Sequence, residues 1–312
     1  MNILLCADIS KTNQYVYLLK SAYEKKGCQV MLGFNNFIKP VVFPDIIHIQ
    51  WPEFFYKWNN EFANFKKIKK IINDRLTFYS NINIPIIYTV HNLLPHDSKL
   101  KTDKIIYDLI IDNIDVFIHH GQASIDIFKN KYPKTTSKKH IICPHGNYPV
   151  SPKDYLQSRK KYNLPRNKCI YLNFGKQRAY KGENFIKRVF SDVHKDAYLF
   201  IIGPKEYSYS NEFIKYTNLF RSKLIAPFVA FMNSFFSNSK KIILRRVSNR
   251  EIPDIFSAVD IVFLGHCSGL NSGLLALSAS YRKPIVYPEI GNFSEQLEGW
   301  QWKEAYEVNN ID

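Results

Sequence analysis

The sequence predicts an α/β protein built of two doubly wound, Rossmann-like units. Three observations lead there. Short apolar runs of β-type residues alternate with longer stretches of helical periodicity along the whole chain. The β-type runs are apolar on both faces, as parallel strands covered on both sides must be. The runs also fall into two series, parted by a Pro-rich, polar segment at 144–165.

The first series comprises Asn2–Cys6, 29–33, Ile46–Ile49, 86–90, Val116–His119 and 139–143. The second comprises Cys169–Phe174, Ala197–Ile202, 241–245, 261–264 and 284–287. Helical periodicity marks 15–26, 60–75, 124–131, 181–191 and 272–281. The expected domains are 1–150 and 151–312. Ligands of doubly wound sheets sit beyond the carboxyl ends of the strands, so two such domains are expected to face a ligand cleft. Residues 207–238 resist this scheme. They read as an inserted helical hairpin broken at Pro227, covering a core or touching a membrane.

The chain has 312 residues, 46% apolar, with 43 Lys and Arg against 27 Asp and Glu, a net charge of +16. The excess is spread over both halves. It suits an anionic partner (nucleic acid, membrane surface or phosphorylated small molecule) or reflects many solvated lysines. No nucleic-acid-binding motif occurs and the cations gather in loops after strands, which disfavours nucleic acid. Five cysteines lie far apart in no metal-ligating spacing, which argues for a reducing compartment. MNILLCADIS turns polar too soon for a signal peptide. The apolar run 224–236 is about half a bilayer span. The expected location is cytoplasmic, with room for a peripheral place on the inner membrane face.

Two loops carry the chemistry. In FGKQRAYKG a strand ends at Gly175; Lys176, Arg178 and Lys181 follow, and a helix begins near Gly182. Three cations before a helix N-terminus form a pyrophosphate cradle or, more simply, a solvated basic loop. In GHCSGLNSGLLALS a strand ends at Leu264; Ser268, Asn271, Ser272, Gly273 and Leu274 then open an apolar helix. Small residues there let a phosphate approach the backbone.

The order of these motifs resembles the C-terminal half of GT-B fold glycosyltransferases, the large group-1 (family 4-like) class. The matching features are Gly175-Lys176 with Lys181-Gly182, Ile202-Gly203-Pro204, Val247 to Ile252 with Val259-Asp260, the small-residue loop, and Pro284 with Gly291 and Glu295. In the N-terminal half, Asn13 to Leu19 is similar to the family's first loop and helix. His48-Ile49-Gln50-Trp51-Pro52-Glu53 is similar to its HxHWPE segment, Thr89-Val90-His91-Asn92 to its T(V/W)HN loop, and Pro144-His145-Gly146 to its PHG. Most members carry two glutamates eight positions apart around the small-residue loop. Here Gly269 and Leu277 stand in those places, as in a subgroup lacking the Glu-x7-Glu pair. The chain also stops soon after Glu295, so the C-terminal closure is expected to be short or truncated.

The resemblance implies a retaining glycosyltransferase of surface polysaccharide synthesis. It would move a sugar from a nucleotide-sugar to a glycan or lipid-linked acceptor; no Asp-x-Asp occurs in a loop after a strand, which fits an enzyme that needs no metal, and no resident cofactor is expected. Gly175, Lys176, Arg178, Lys181, Val247, Ser268, Asn271, Ser272, Gly273 and Leu274 are expected to hold the donor, and His91 and Glu53 to serve the reaction. The alternative is a non-catalytic GT-B module that binds a sugar or nucleotide within an assembly.

Other residues divide between roles. His91 ends a strand at the carboxyl side, where a base of near-neutral pKa is useful. Glu53 and Trp51 would orient an acceptor hydroxyl and stack on a sugar, or pack in a core. His96 with Asp97, His145 and one of His119 and His120 are secondary candidates, while His48 reads as core. The 60–75 helix is basic and amphipathic, which fits an anionic membrane or a core helix with a wet back.

Overall fold

The structure, a computed structural model, describes residues 1–9, 14–56, 65–95, 101–190, 196–205 and 239–308. The hairpin expected at 207–238, the loop at 10–13, and His96 with Asp97 lie outside them. The chain forms two compact units, Met1–Pro144 and His145–Asp312.

Unit 1 holds a parallel sheet of β1 (Asn2–Cys6), β2 (Gln29–Leu32), β3 (Ile46–Ile49), β4 (Ile86–Thr89), β5 (Val116–His119) and β6 (Lys139–Ile142). Their order is β2-β1-β3-β4-β5-β6. Helices α1 (Tyr15–Lys25), α2 (Phe34–Ile38), α3 (Phe65–Asn81), α4 (Lys101–Asp112) and α5 (Gln122–Lys131) lie between them in sequence. The inner strands are apolar because both faces are covered; Ile3, Leu4, Leu5, Ile47, Ile49, Ile86 and Phe117 are all buried. Helix α3 buries Ile68, Ile72, Leu76 and Tyr79, one stripe of a 3.6-residue period. It runs past the expected end at Arg75 because that stripe continues. The Tyr79 hydroxyl donates to the Phe37 carbonyl at 2.6 Å, which ties α3 to α2.

Unit 2 holds a second parallel sheet: β7 (Cys169–Phe174), β8 (Ala197–Ile202), β9 (Lys240–Ile243), β10 (Ile261–Phe263), β11 (Ile285–Pro288) and β12 (Lys303–Tyr306). Their order is β12-β11-β10-β7-β8-β9. Its helices are α6 (Tyr155–Lys161), α7 (Glu183–Val189), α8 (Ile252–Ser257), α9 (Gly273–Ser280) and α10 (Phe293–Gln296). One continuous core runs from Ile170 and Leu172 through Phe200, Phe256 and Val262 to Leu275 and Phe293. Strand β12 has no counterpart among the expected strands. Its residues, KEAY, are largely exposed and show no apolar run; pairing with β11 alone makes it a strand.

The topology fixes where a ligand would bind in each unit. Strand order reverses between β1 and β3 in unit 1 and between β7 and β10 in unit 2. The loops at the carboxyl ends of such neighbouring strands diverge and leave a crevice.

Unit 2 is pinned by Arg159, a side chain 1% exposed. Its Nη1 donates to the carbonyls of Pro165, Arg166 and Lys168, and its Nε to that of Ala258. Its Nη2 pairs with Asp260 at 2.6 Å, and the same Asp260 oxygen accepts the Ile170 N–H. The guanidinium thereby joins α6 to the starts of β7 and β10. Arg159→Met should lower the stability of unit 2 by about 3 kcal/mol, because several buried carbonyls lose their donor. Urea unfolding should show the unit 2 transition moved and that of unit 1 unchanged; Arg159→Lys should not restore it, since an ammonium cannot span that fork.

Candidate active site

In unit 2 the loop after β7 is shaped by backbone contact. The Gly175 N–H donates to the Ile202 carbonyl at 3.0 Å, and a Cβ on Gly203 would fall on the Gly175 carbonyl oxygen. Gln177, 2% exposed, donates from Nε2 to that same Gly175 oxygen at 2.9 Å, and its N–H donates to Pro204. The loop then returns so that Lys181 Nζ lies 3.4 Å from where a Gly175 Cβ would stand. Gly182, at φ 64°, opens α7, and its own Cβ position is taken by the Gly265 carbonyl oxygen. The Cys267 N–H donates to the Tyr180 carbonyl at 2.7 Å. The loops after β7 and β10, on either side of the strand-order reversal, are therefore knitted together.

The charge gathered there is positive. Lys176 is exposed and Arg178 half-buried. Burial, then the nearby Arg178 and Lys176 charges, lower the Lys181 pKa to about 8. The two neighbouring charges that lower it, Arg178 and Lys176, are both cations, so an anion placed beside them would relieve it.

The small-residue loop after β10 leads into α9. Ser272 precedes the helix, and its N–H donates to Gln296 Oε1 at 2.9 Å. Asn271 Oδ1 accepts from Asn292 Nδ2 at 2.6 Å. A Cβ on Gly273 would lie 3.1 Å from the Tyr148 hydroxyl and 3.8 Å from His145 Nε2, so both side chains overlook the start of α9. Burial lowers the His145 pKa and raises that of Tyr148 to about 12. Ser268 is exposed and Leu274 half-buried. Of the two places without glutamate, Gly269 is in this loop and Leu277 lies in the core. Val247 packs at the edge of that core. Beside it, Glu251 pairs with Arg245 at 2.5 Å and accepts from the N–H and hydroxyl of Ser248, which holds its pKa near 2. The motif glutamate thus shapes the Val247 loop.

In unit 1, His91 follows β4 and is half-buried. Trp51 stacks on it at 4.7 Å and 20°, and Tyr15 meets its edge at 4.9 Å and 88°. His120 lies 5.4 Å away, its Nδ1 2.9 Å from the Cys143 carbonyl. His91 Nε2 is 2.9 Å from Gln50 Oε1. The other histidine of that pair, His119, turns the opposite way and contacts Ser124 and His140 at 3.0 Å each. Glu53 is 7% exposed in a 3-10 turn and accepts from the Tyr107 hydroxyl at 2.5 Å. Nearby Asp103, fully buried, accepts from Tyr56 at 2.6 Å. Burial, the largest cause, and the nearby carboxylates push the Tyr56 and Tyr107 hydroxyls well above their usual pKa.

The expected residues thus form two groups. Gly175, Lys176, Arg178 and Lys181 come together with the Gly265–Cys267 backbone, and Ser272 and Gly273 sit at the start of α9. His91 gathers with Trp51, Tyr15 and His120, whereas Glu53 is tied to Tyr107. Sequence reading misses Gln50, Gln177, Gln296 and Tyr148. Gln50 and Gln177 lie inside motif segments that give them no role, and Gln296 and Tyr148 lie in none; the contacts of Gln50, Gln296 and Tyr148 are with residues distant in sequence, and Gln177 reaches back to Gly175 within its own loop. Among the described residues no group of three or more His, Cys, Asp or Glu is placed to hold a metal ion.

No protein-family profile and no curated protein matches the sequence. Solved structures do match in fold. HepE from Anabaena, in complex with UDP and glucose, aligns over 98% of this chain and 85% of its own, at 14% identity and a TM-score of 0.60. Sucrose-phosphate synthase from Thermosynechococcus elongatus aligns over 99% and 86%, at 12% identity and a TM-score of 0.66. WaaG, a glycosyltransferase of lipopolysaccharide biosynthesis, aligns over 98% and 86%, at 9% identity and a TM-score of 0.61. The chain therefore has the fold of the GT-B glycosyltransferases: two Rossmann-like α/β units, each with its own six-stranded parallel sheet.

Proposed function

We propose that the protein is a glycosyltransferase that moves a sugar from a nucleotide-sugar to a glycan or lipid-linked acceptor. The observation that carries this reading is the cation-crowded loop of Lys176, Arg178 and Lys181 at the strand-order reversal of unit 2. In transfer, the bond from the anomeric carbon to the diphosphate breaks and a bond to an acceptor hydroxyl oxygen forms. The leaving diphosphate gathers negative charge, and preformed cations lower that barrier without reorganisation. Lys176, Arg178 and Lys181 take that role, with the Gly273 and Leu274 N–H groups at the start of α9 assisting. Ser268, Asn271 and Ser272 stand in for the absent glutamate pair toward the donor, and Val247 lines the nucleotide side. This charge supply comes from side chains, which favours a metal-independent reaction.

His91 serves the sugar and acceptor side as a hydroxyl-binding, proton-handling group. Glu53, enclosed and bonded by Tyr107, supports the loop that carries Trp51 instead of reaching an acceptor itself. Retention of anomeric configuration and a place in surface polysaccharide synthesis follow from the family resemblance and belong to this proposal. So does a cytoplasmic site of action.

A membrane-held acceptor is favoured by one surface. Val41, Val42 and Phe43 are 89%, 50% and 60% exposed in the loop before β3, and Phe43 lies 6.2 Å from Phe78 of α3. Lys66, Lys67, Lys69 and Lys70 are exposed on the same helix. The apolar tip meets the C-terminal part of α3 at Phe78, and the lysines lie in the first turns of the same helix; a surface with both features suits anionic headgroups. No helix of the described residues is long and apolar enough to cross a membrane.

Arg178→Ala should weaken UDP or GDP binding at least about tenfold and abolish transfer with the fold intact. His91→Ala should keep nucleotide affinity while transfer falls by about 100-fold or more. Calorimetric titration with UDP and GDP, beside a turnover assay with the matching nucleotide-sugars, checks both; normal turnover in Arg178→Ala contradicts the assignment. Binding without any turnover in the native protein favours the non-catalytic module. For the surface, Val41→Asp with Phe43→Asp should abolish co-sedimentation with phosphatidylglycerol vesicles, and phosphatidylcholine vesicles should bind neither protein.

A further inference from the structure

Behind His91 runs a line of polar side chains that the proposed reaction does not use. Gln50, just after β3, is fully buried. Its Oε1 lies 2.9 Å from His91 Nε2, and its Nε2 lies 2.8 Å from His48 Nε2. His48, within β3 and 2% exposed, places Nδ1 2.8 Å from the Tyr23 hydroxyl. Thr89 Oγ1 lies 2.8 Å from His48 Nε2. Tyr23, His48, Gln50 and His91 thus form one chain of hydrogen bonds.

An amide couples the two rings because one of its ends only accepts and the other only donates. With its carbonyl toward His91, the His91 proton must sit on Nε2. With its NH2 toward His48, the His48 Nε2 must be bare, and that ring's proton lies on Nδ1, donated to Tyr23. Burial lowers the His48 pKa to about 4, so this ring stays neutral near neutral pH and anchors the amide by tautomer alone. Trp51 and Tyr15 fix the plane of the His91 imidazole; Gln50 fixes which nitrogen is which. Where the family's HxHWPE segment has a histidine, this chain has a glutamine, which cannot titrate. The polarity of the line is therefore constant over the pH range in which His48 stays neutral.

We propose that Gln50 is a positioning residue that holds His91 as its Nε2–H tautomer, so that Nδ1 carries the lone pair used in the reaction, with His48 and Tyr23 locking the amide. The catalytic half rests on the glycosyltransferase reading. The tautomer does not, and it is measured without substrate.

The test begins with long-range proton–nitrogen NMR of the histidines in the full-length, nitrogen-15-labelled chain at pH 7.5, with His91 and His48 assigned by His91→Gln and His48→Gln. His91 should show a protonated Nε2 and a bare Nδ1, and His48 the reverse. A bare Nε2 on His91 means the amide is turned around and overturns the proposal. Gln50→Met should move His91 toward a mixture of tautomers and lower kcat about tenfold or more with KM within twofold. Gln50→Glu places a carboxylate against the Nε2–H, which favours the imidazolium, so the acidic limb of kcat against pH should move up by about one unit or more. Unchanged kcat in Gln50→Met together with an unmoved limb in Gln50→Glu also overturns it. Should either variant fail to fold, the native spectrum still decides the polarity. A native protein with the stated tautomers but no transfer contradicts the proposed function and leaves the positioning intact.

Discussion

Two of the places in unit 2 where the backbone leaves no room for a side chain set the geometry around β7. Gly203 meets the Gly175 carbonyl, and Gly182 meets that of Gly265. These contacts draw together the loops after β7, β8 and β10 at the reversal of strand order. A side chain at either place would push the loops apart by more than packing can absorb. Because they are held, Lys181 is folded back over Gly175 and kept close to Arg178 and Lys176, in a setting that lowers its pKa. Cations gathered in this way favour an anion beside them, which is what the proposed function asks of this loop.

Unit 1 reaches its geometry by other means. Its carboxyl-end surface is shaped by stacked rings and a buried polar line. Trp51 and Tyr15 come from the loop after β3 and the start of α1, yet both pack on His91 after β4. Hydrogen bonds inside strands are usually spent on backbone; here β3 also buries a histidine and is followed by a glutamine, which bond to each other and to Tyr23, Thr89 and His91. Buried polar groups of this sort specify one arrangement, since any other leaves a donor or acceptor unpaired.

Much of the fold was legible because parallel sheets leave a strong trace. Strands apolar on both faces stand out, and β1, β3, β5, β7 and β8 lie where the apolar runs do. Strand β12 left none, because it is exposed and exists only through its neighbour. The expected end of α3 fell short since lysines interrupt the pattern, while the buried stripe through Leu76 and Tyr79 continues. At the candidate site the cations after β7 were legible from composition and position. Arg159 was not, though it is the most enclosed charge described in unit 2; its partners lie up to about a hundred positions away, and only tertiary structure shows them. Glu251 was legible as a motif residue, but its pairing with Arg245 was not. Gln50 stood inside a recognised segment, yet nothing in the segment says which ring its carbonyl faces.

The central claim is that the Lys181 loop receives a diphosphate. Its most direct test is proton linkage. At pH 8 an ammonium with a pKa of about 8 is half protonated. An entering diphosphate raises that pKa, and up to about half a proton is taken up. UDP, GDP and ADP would be titrated calorimetrically at pH 8 in buffers of different ionisation enthalpy, into the native protein and Lys181→Met. The account predicts that at least one nucleotide binds the native protein with proton uptake, and that Lys181→Met shows weaker binding and no uptake. Binding with no buffer dependence, uptake that survives Lys181→Met, or no binding of any of the three would contradict it.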